Sequence, residues 1–427
     1  MIATERYLER LGQLGVSPDR IRRALEADRA TAEVRQAVRE QAAVNQWKVL
    51  EALQSEGLSE GHFYGTTGYG FHDTGRELLD RAVARIFGAQ AARLRLQIVS
   101  GTHAISAALF GCLHPGDELV SLTGPPYDTL LPVLGHECPS PGSLGELGVT
   151  YRELDLLPDG SIDLEKVEAC MRPGTRAVFL QRSRGYTWRR SVGVEELGEC
   201  IRRLRRVAPE AVVIVDNCYG ELVEPREPTE VGADLVAGSL IKNLGGALAP
   251  TGGYLAGSRE VVERAMIRIT APGIAAEEGP TLGFNRILTQ GLFLAPHIVG
   301  QALEGAVWAA WLLEREGYEA SPRWDEPRTD LIQAVRLGSV DKQKAFCRGV
   351  QRAGAVDHRA LPEPVMNPGY RDPILMAGGT FIQGSSIELS ADGPLRPPHA
   401  CYLQGGVSLA QIQLGVLRAL EELDSRA

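Results

Sequence analysis

Gly232-Ala233-Asp234-Leu235-Val236-Ala237-Gly238-Ser239-Leu240-Ile241-Lys242-Asn243-Leu244-Gly245-Gly246 sets one lysine among apolar residues and glycines. A surface lysine normally has polar neighbours, whereas Lys242 follows Leu240-Ile241 and precedes Leu244-Gly245-Gly246. Such a setting strips water from the amine and disfavours its charged form, so the expected pKa is lowered, as a lysine that bonds to a carbonyl requires. Working outward, Ala211-Val212-Val213-Ile214-Val215 is an unbroken apolar run of the kind buried in a parallel sheet, and it ends at Asp216. Open α/β sheets bind ligands at the carboxyl ends of their strands, which is where this carboxylate stands. The run 194–207 reads as an amphipathic helix before that strand, and 94–99, 118–120 and 176–181 read as further strands. Strands alternating with helices imply βαβ units and the α/β class.

An aspartate closing a buried strand, then Ser-x-x-Lys in a glycine-rich turn, is the arrangement pyridoxal phosphate chemistry uses, with the acid on the pyridine nitrogen and the lysine on the aldehyde. A buried strand followed by an ordinary loop lysine is the plainer alternative. Three stretches bear on the choice: Val215-Asp216-Asn217-Cys218-Tyr219-Gly220-Glu221, Gly238-Ser239-Leu240-Ile241-Lys242-Asn243 and Ser100-Gly101-Thr102-His103-Ala104. Together they resemble the fold-type I family of methionine gamma-lyase-like or aluminium resistance proteins, a divergent branch of the methionine gamma-lyase and cystathionine lyase group. The resemblance is good over roughly residues 61 to 310 and looser beyond. It implies a pyridoxal phosphate-dependent transferase-like fold, with a large domain built on a mainly parallel sheet and a smaller C-terminal α+β domain. The expected division is a helical arm over 1–60, a cofactor-binding domain over 61–294 and the small domain over 295–427. A homodimer or homotetramer is implied as well.

The candidate site residues follow in chain order. His62 to Arg76 is a glycine-rich loop without a sustained period. In the resembled lyases a tyrosine and an arginine of such a loop reach the neighbouring subunit's cofactor phosphate, which makes Tyr64 and Tyr69 candidates. The arginine expected two residues later is absent, since Thr66 and Phe71 stand there, and Arg76 is the substitute considered. Ser100-Gly101-Thr102 opens a helix whose small residues and dipole suit a phosphate, so Gly101, Thr102 and Ser239 are read as its cradle. Tyr127, after Gly124-Pro125-Pro126, stands where the resembled lyases stack an aromatic on the pyridine ring; an ordinary core tyrosine is the alternative. Beyond the strand ending at Gln181 there is no asparagine for the cofactor's phenolic oxygen. Arg182 or Arg184 would replace it, bind a substrate carboxylate, or face solvent. Tyr219 either donates to that oxygen or only packs. Arg396, just after an expected strand over 385–390, is the candidate for the substrate's α-carboxylate, because a guanidinium fork matches two oxygens.

Over 427 residues the formal charge is −9, which argues against a nucleic-acid partner. The seven cysteines, including Cys138 and Cys218, form no CxxC pair, and the histidines lack metal-ligand spacing, so neither a disulfide framework nor a metal is expected. The N-terminus is charged at once, and the most apolar stretch, 291–313, is broken by His297, Gln301 and Glu304, so no leader, no membrane span and a cytoplasmic location are expected. Helical segments are expected over 296–316 and 408–423.

The leading expectation is a carbon–sulfur lyase acting on a sulfur-containing amino acid by α,γ- or α,β-elimination. Lys242 would remove the α-proton, Asp216 would keep the ring nitrogen protonated, and Tyr127 or a loop tyrosine such as Tyr64 would protonate the departing sulfur. An aminotransferase on the same fold, or a homologue that keeps the cofactor without turnover, are the alternatives.

Overall fold

Every residue of the strand that closes on Asp216 is buried, as its β-branched run requires. A computed structural model describes residues 5–136 and 140–425 and sets this strand at the middle of a seven-stranded sheet. In chain order the strands are β1 (Ala91–Arg95), β2 (Glu118–Ser121), β3 (Thr150–Glu153), β4 (Thr175–Gln181), β5 (Val212–Asp216), β6 (Leu235–Ser239) and β7 (Gly253–Gly257). They lie in the order β1-β7-β6-β5-β4-β2-β3. Only β7 runs against its neighbours, pairing antiparallel with both β1 and β6. The registers decide what meets at the carboxyl edge: Gln181 pairs with Asp216, and Asp216 with Ala237. Three chain segments far apart in sequence therefore end side by side.

The helix Gly101–Cys112 packs on this sheet, burying Ile105, Ala108 and Leu109 in one core with Leu119, Phe179, Ile214, Ala237 and Leu255. Full burial of such a side chain contributes ~2 kcal/mol, so the helix start is fixed by packing well away from any ligand.

The chain divides into two compact units. The sheet unit comprises Val44–Gly185 and Arg189–Pro296; the terminal unit comprises Met1–Ala43, Tyr186–Trp188 and His297–Ala427. In the terminal unit an antiparallel sheet runs in the order β10-β11-β12-β9-β8, with β8 at Glu319–Ser321, β9 at Gln333–Arg336, β10 at Ile374–Ala377, β11 at Ser390–Pro394 and β12 at Ala400–Gln404. Trp308, Phe346, Leu375, Leu403, Val416 and Leu420 form its core, together with Ala24 and Ala27 of the N-terminal helix Pro18–Ala30. Those two alanines, and the pairing of Arg20 and Arg23 with Glu316, explain why residues up to 43 group with the C-terminal region rather than forming an arm of their own over 1–60.

Other boundaries differ from expectation. The strand read over 94–99 lies at Ala91–Arg95, because Leu94 donates its N–H to Asp80 and the chain then turns, Ile98 N–H to Arg95 O. The helix expected from 296 begins at Asn285, so Pro296 is interior rather than a start signal. The strand read over 385–390 is a short 3-10 turn, Ser386–Glu388, and pairing starts only at Ser390. The helix Val194–Val207 lies where its period puts it. Among the described residues no helix is long and apolar enough to cross a membrane, and no group of His, Cys, Asp and Glu is arranged to hold a metal. Six cysteines are free thiols, while Cys138 lies outside the described residues.

Candidate active site

The carboxyl edge of the sheet unit gathers the central candidates. Ser100 caps the helix Gly101–Cys112, its side chain accepting from His103 N–H at 3.1 Å, which leaves the N–H groups of the first turn before it without an intrahelical partner. Ser239, at the end of β6, comes within van der Waals range of that turn: a Cβ placed on Gly101 would stand 3.4 Å from Ser239 Cβ and 3.0 Å from Cys218 Sγ. Gly101 is thus a position where a larger residue would push the cradle apart. Thr102 Oγ1 lies 3.1 Å from the Tyr127 hydroxyl and 3.3 Å from Thr129 Oγ1. Tyr127 is fixed from behind, its N–H donating to Gln181 Oε1 at 2.9 Å.

Asp216 is 2 % exposed, and its Oδ1 accepts from Cys218 N–H at 3.0 Å. Burial pushes its carboxyl above the usual range, with Lys242 pulling the other way. The chain then makes a tight turn, Gly220 N–H to Asn217 O at 2.9 Å, in which Tyr219 takes φ 72°, a left-handed conformation costly for an aromatic residue. Lys242 Nζ lies 4.0 Å from the centroid of the Tyr219 ring.

The expected lowering of the Lys242 pKa is overturned. Burial does push the ammonium down, but Cys218, Tyr219, Asp216 and Tyr127 surround it and more than offset the loss, so its pKa is raised well above the ordinary value. Burial also pushes the Cys218 thiol, the Tyr127 hydroxyl and the Asp216 carboxyl up, while Lys242 pulls each of them down. The apolar neighbours of Lys242 in sequence are visible to an inspection of the chain; the groups brought from 127 and 216–219 are not.

Other candidates fall elsewhere. Arg182 and Arg184 do not face solvent, being 0 % and 1 % exposed. Arg182 donates to Asn217 Oδ1 at 2.6 Å, to Gly220 O at 3.0 Å and to Glu224 at 2.6 Å, so it braces the Asp216 turn from behind. Arg76 is not a phosphate ligand: it is buried and donates to the carbonyls of Gly70, Gly279 and Glu277. Thr66 hydrogen-bonds to Asp73 at 2.6 Å, and the side chains of Tyr64 and Tyr69 are 78 % and 68 % exposed. Arg396, in the terminal unit, is held by Asp372 at 2.9 Å. Sequence reasoning missed Cys218, Gln181 and the bracing role of Arg182. The position of Cys218 two residues after Asp216 and of Gln181 at a strand end were the available signals.

A family model described as methionine gamma-lyase matches residues 21–424. The chain belongs to the methionine gamma-lyase family. Membership places it among the carbon–sulfur lyases. YnbB of Bacillus subtilis (strain 168), a protein without an assigned function, is 46% identical over 401 residues, 94% of this chain and 95% of YnbB. The crystal structure of a carbon-sulfur lyase involved in aluminum resistance from Clostridium novyi NT is 42% identical, with a TM-score of 0.94, covering 98% of this chain and 99% of that one. A pyridoxal-5'-phosphate dependent protein, YhfS from Escherichia coli, shares the fold at 20% identity and a TM-score of 0.60, covering 91% of this chain and 97% of that one.

Proposed function

We propose that this member of the family is a pyridoxal phosphate-dependent carbon–sulfur lyase acting on a sulfur-containing amino acid by α,γ- or α,β-elimination. The observation that carries the reading is the meeting of Lys242, Asp216 and the start of the helix Gly101–Cys112 at one sheet edge. The donor set fits the group: first-turn N–H groups with Thr102 and Ser239 hydroxyls suit a phosphate, a buried carboxylate suits a ring nitrogen, and a shielded amine suits an aldehyde. When bound, the cofactor supplies that aldehyde and an electron-withdrawing ring. Lys242 would take the substrate's α-proton at Nζ only after giving up its own, since the groups around it favour the ammonium form without the cofactor. Asp216 keeps a proton on the ring nitrogen. Tyr127, anchored through Gln181 and hydrogen-bonded to Thr102, would stack on the ring and donate a proton to the leaving sulfur. The Tyr219 hydroxyl would donate to the cofactor's phenolic oxygen.

Exposed Tyr64 and Tyr69 are proposed to serve the site of a second copy in a homodimer or homotetramer, and Arg184 or Arg396 to meet the substrate carboxylate. The scattered free thiols go with a cytoplasmic enzyme.

Treatment of the purified protein with borohydride and peptide mapping tests the reading directly, since the chain has only five lysines, Lys48, Lys166, Lys242, Lys342 and Lys344. The adduct is expected on Lys242 alone, and Lys242→Ala should abolish both trapping and thiol release from methionine or cystathionine, a loss on the order of a thousandfold or more. An adduct on any other lysine, or unchanged turnover in Lys242→Ala, would end the proposal. Stoichiometric amino transfer to an added 2-oxo acid would instead identify an aminotransferase.

A further inference from the structure

Tyr219 combines two unusual features. Its backbone takes a left-handed φ of 72°, and its ring face, rather than its edge, is turned to a cation, with Lys242 Nζ 4.0 Å from the centroid. A bulky residue persists in that conformation only where its surroundings over-determine it. They do so here: Cys218 N–H is tied to Asp216 Oδ1, Gly220 N–H to Asn217 O, and Arg182 grips both Asn217 Oδ1 and Gly220 O. Arg182 is fully buried, and a Cβ on Gly220 would stand 2.5 Å from its Cζ, so the turn cannot relax toward that side. A turn built only to end a strand would not need an aromatic at its strained position. The strain is explained if the ring is wanted under the amine.

We propose that Tyr219 is a positioning residue for Lys242, its ring face holding the ammonium beside Asp216 whenever the amine is not bonded to the cofactor. This rests on the reading that Lys242 is the cofactor lysine. A ring quadrupole attracts a cation most strongly where water is excluded, and Lys242 is partly buried. The platform keeps the four-carbon stem from wandering while the group is an ammonium, so that once it has given up that proton the amine meets the α-carbon in one geometry. It differs from the expected role of the tyrosine hydroxyl, since the ring and not the oxygen does the holding. Five groups face the amine electrostatically: Asp216, Cys218 and Tyr219 from the strand end and turn, Tyr127 from the loop after β2, and Glu221 beyond the turn. Four of these are unaltered when Tyr219 is replaced.

The test uses the full-length, cofactor-free protein labelled with [ε-13C]lysine. With five lysines in the chain, the Lys242 resonance is assigned by its loss in Lys242→Arg, and its titration midpoint is followed by NMR. Tyr219→Phe keeps the ring but removes the hydroxyl that also faces the amine, so its midpoint is expected to stay above that of the Leu variant. Tyr219→Leu removes the ring and should lower the midpoint by about one pH unit, a tenfold loss of proton affinity. Tyr219→Gly removes the ring while suiting the left-handed backbone, so it folds without the strain and should show the same shift. A midpoint unmoved in the Leu and Gly variants, or moved as far by Phe as by Leu, would overturn the proposal. Borohydride trapping of the unsubstituted holoenzyme on Lys242 is read separately, so a failure of the cofactor assignment is distinguishable from a failure of the platform.

Discussion

Two aspartates of the sheet unit are equally hidden and oppositely treated. Asp73 is 1 % exposed and accepts from Thr66 N–H and Oγ1, Thr281 Oγ1, Asn285 Nδ2 and Arg76 N–H. Burial pushes its carboxyl up, but these donors outweigh it and hold the pKa at about 2. Asp216, at 2 % exposure, has the Cys218 backbone N–H as its hydrogen-bond donor from the main chain, and its carboxyl is pushed up instead. A carboxylate saturated by the protein is structural, whereas one buried with accepting capacity in hand is kept for something else. Asp73 joins the loop around Thr66 to the segment at Thr281 and Asn285, whereas Asp216 keeps accepting capacity for the ring nitrogen proposed above.

The comparison breaks if the two respond alike to substitution. Asp216→Asn is expected to lower kcat by on the order of a hundredfold or more while leaving the melting temperature near that of the unsubstituted protein. Asp73→Ala should do the reverse, destabilising by about 2–4 kcal/mol because several buried donors lose their acceptor, as read in urea unfolding. A stability loss at Asp216 as large as that at Asp73 would show that both are structural.

The acid limb of stability sharpens it further. The folded pKa of Asp73 lies below the ordinary 3.8, so its contribution is fully present above pH 3.8 and disappears as pH falls through about 2. A shift of this size corresponds to about 2 kcal/mol. Unfolding measured between pH 5 and about 2 should therefore show a slope that Asp73→Asn reduces and Asp216→Asn does not. The smallest effect is expected at Gly101→Ala, where the added Cβ would meet Cys218 Sγ at 3.0 Å. The neighbours must give by a few tenths of an ångström, and pyridoxal phosphate should bind about tenfold more weakly, as fluorescence titration would show.

What could be read from the chain alone follows the range of the forces involved. The run Val212–Asp216 and the helix Val194–Val207 are set by periods within a few residues, and both lie where those periods put them. The turn at Ser386–Glu388 carries the alternation of a strand but not its pairing, which depends on β10 and β12 arriving from elsewhere. Pro296 looked like a helix start because a proline is tolerated in a first turn; the eleven residues before it continue the helix because tertiary packing buries Leu288, Leu292 and Ala295. For the site, Lys242, Asp216, Ser239 and Gly101 were legible because each closes or opens an element. The sign of the Lys242 shift was not, because it is set by groups that only the fold brings to it.

The reversed strand β7 has one more consequence. A parallel neighbour would have required a long crossover after β6, but an antiparallel one lets the chain return directly, Ser239 pairing with Gly253 and Leu240 N–H bonding Gly252 O. Lys242 therefore sits in a hairpin end stapled two residues before it. Little disorder is left there for an incoming molecule to quench, so affinity is not spent on freezing the loop that receives it.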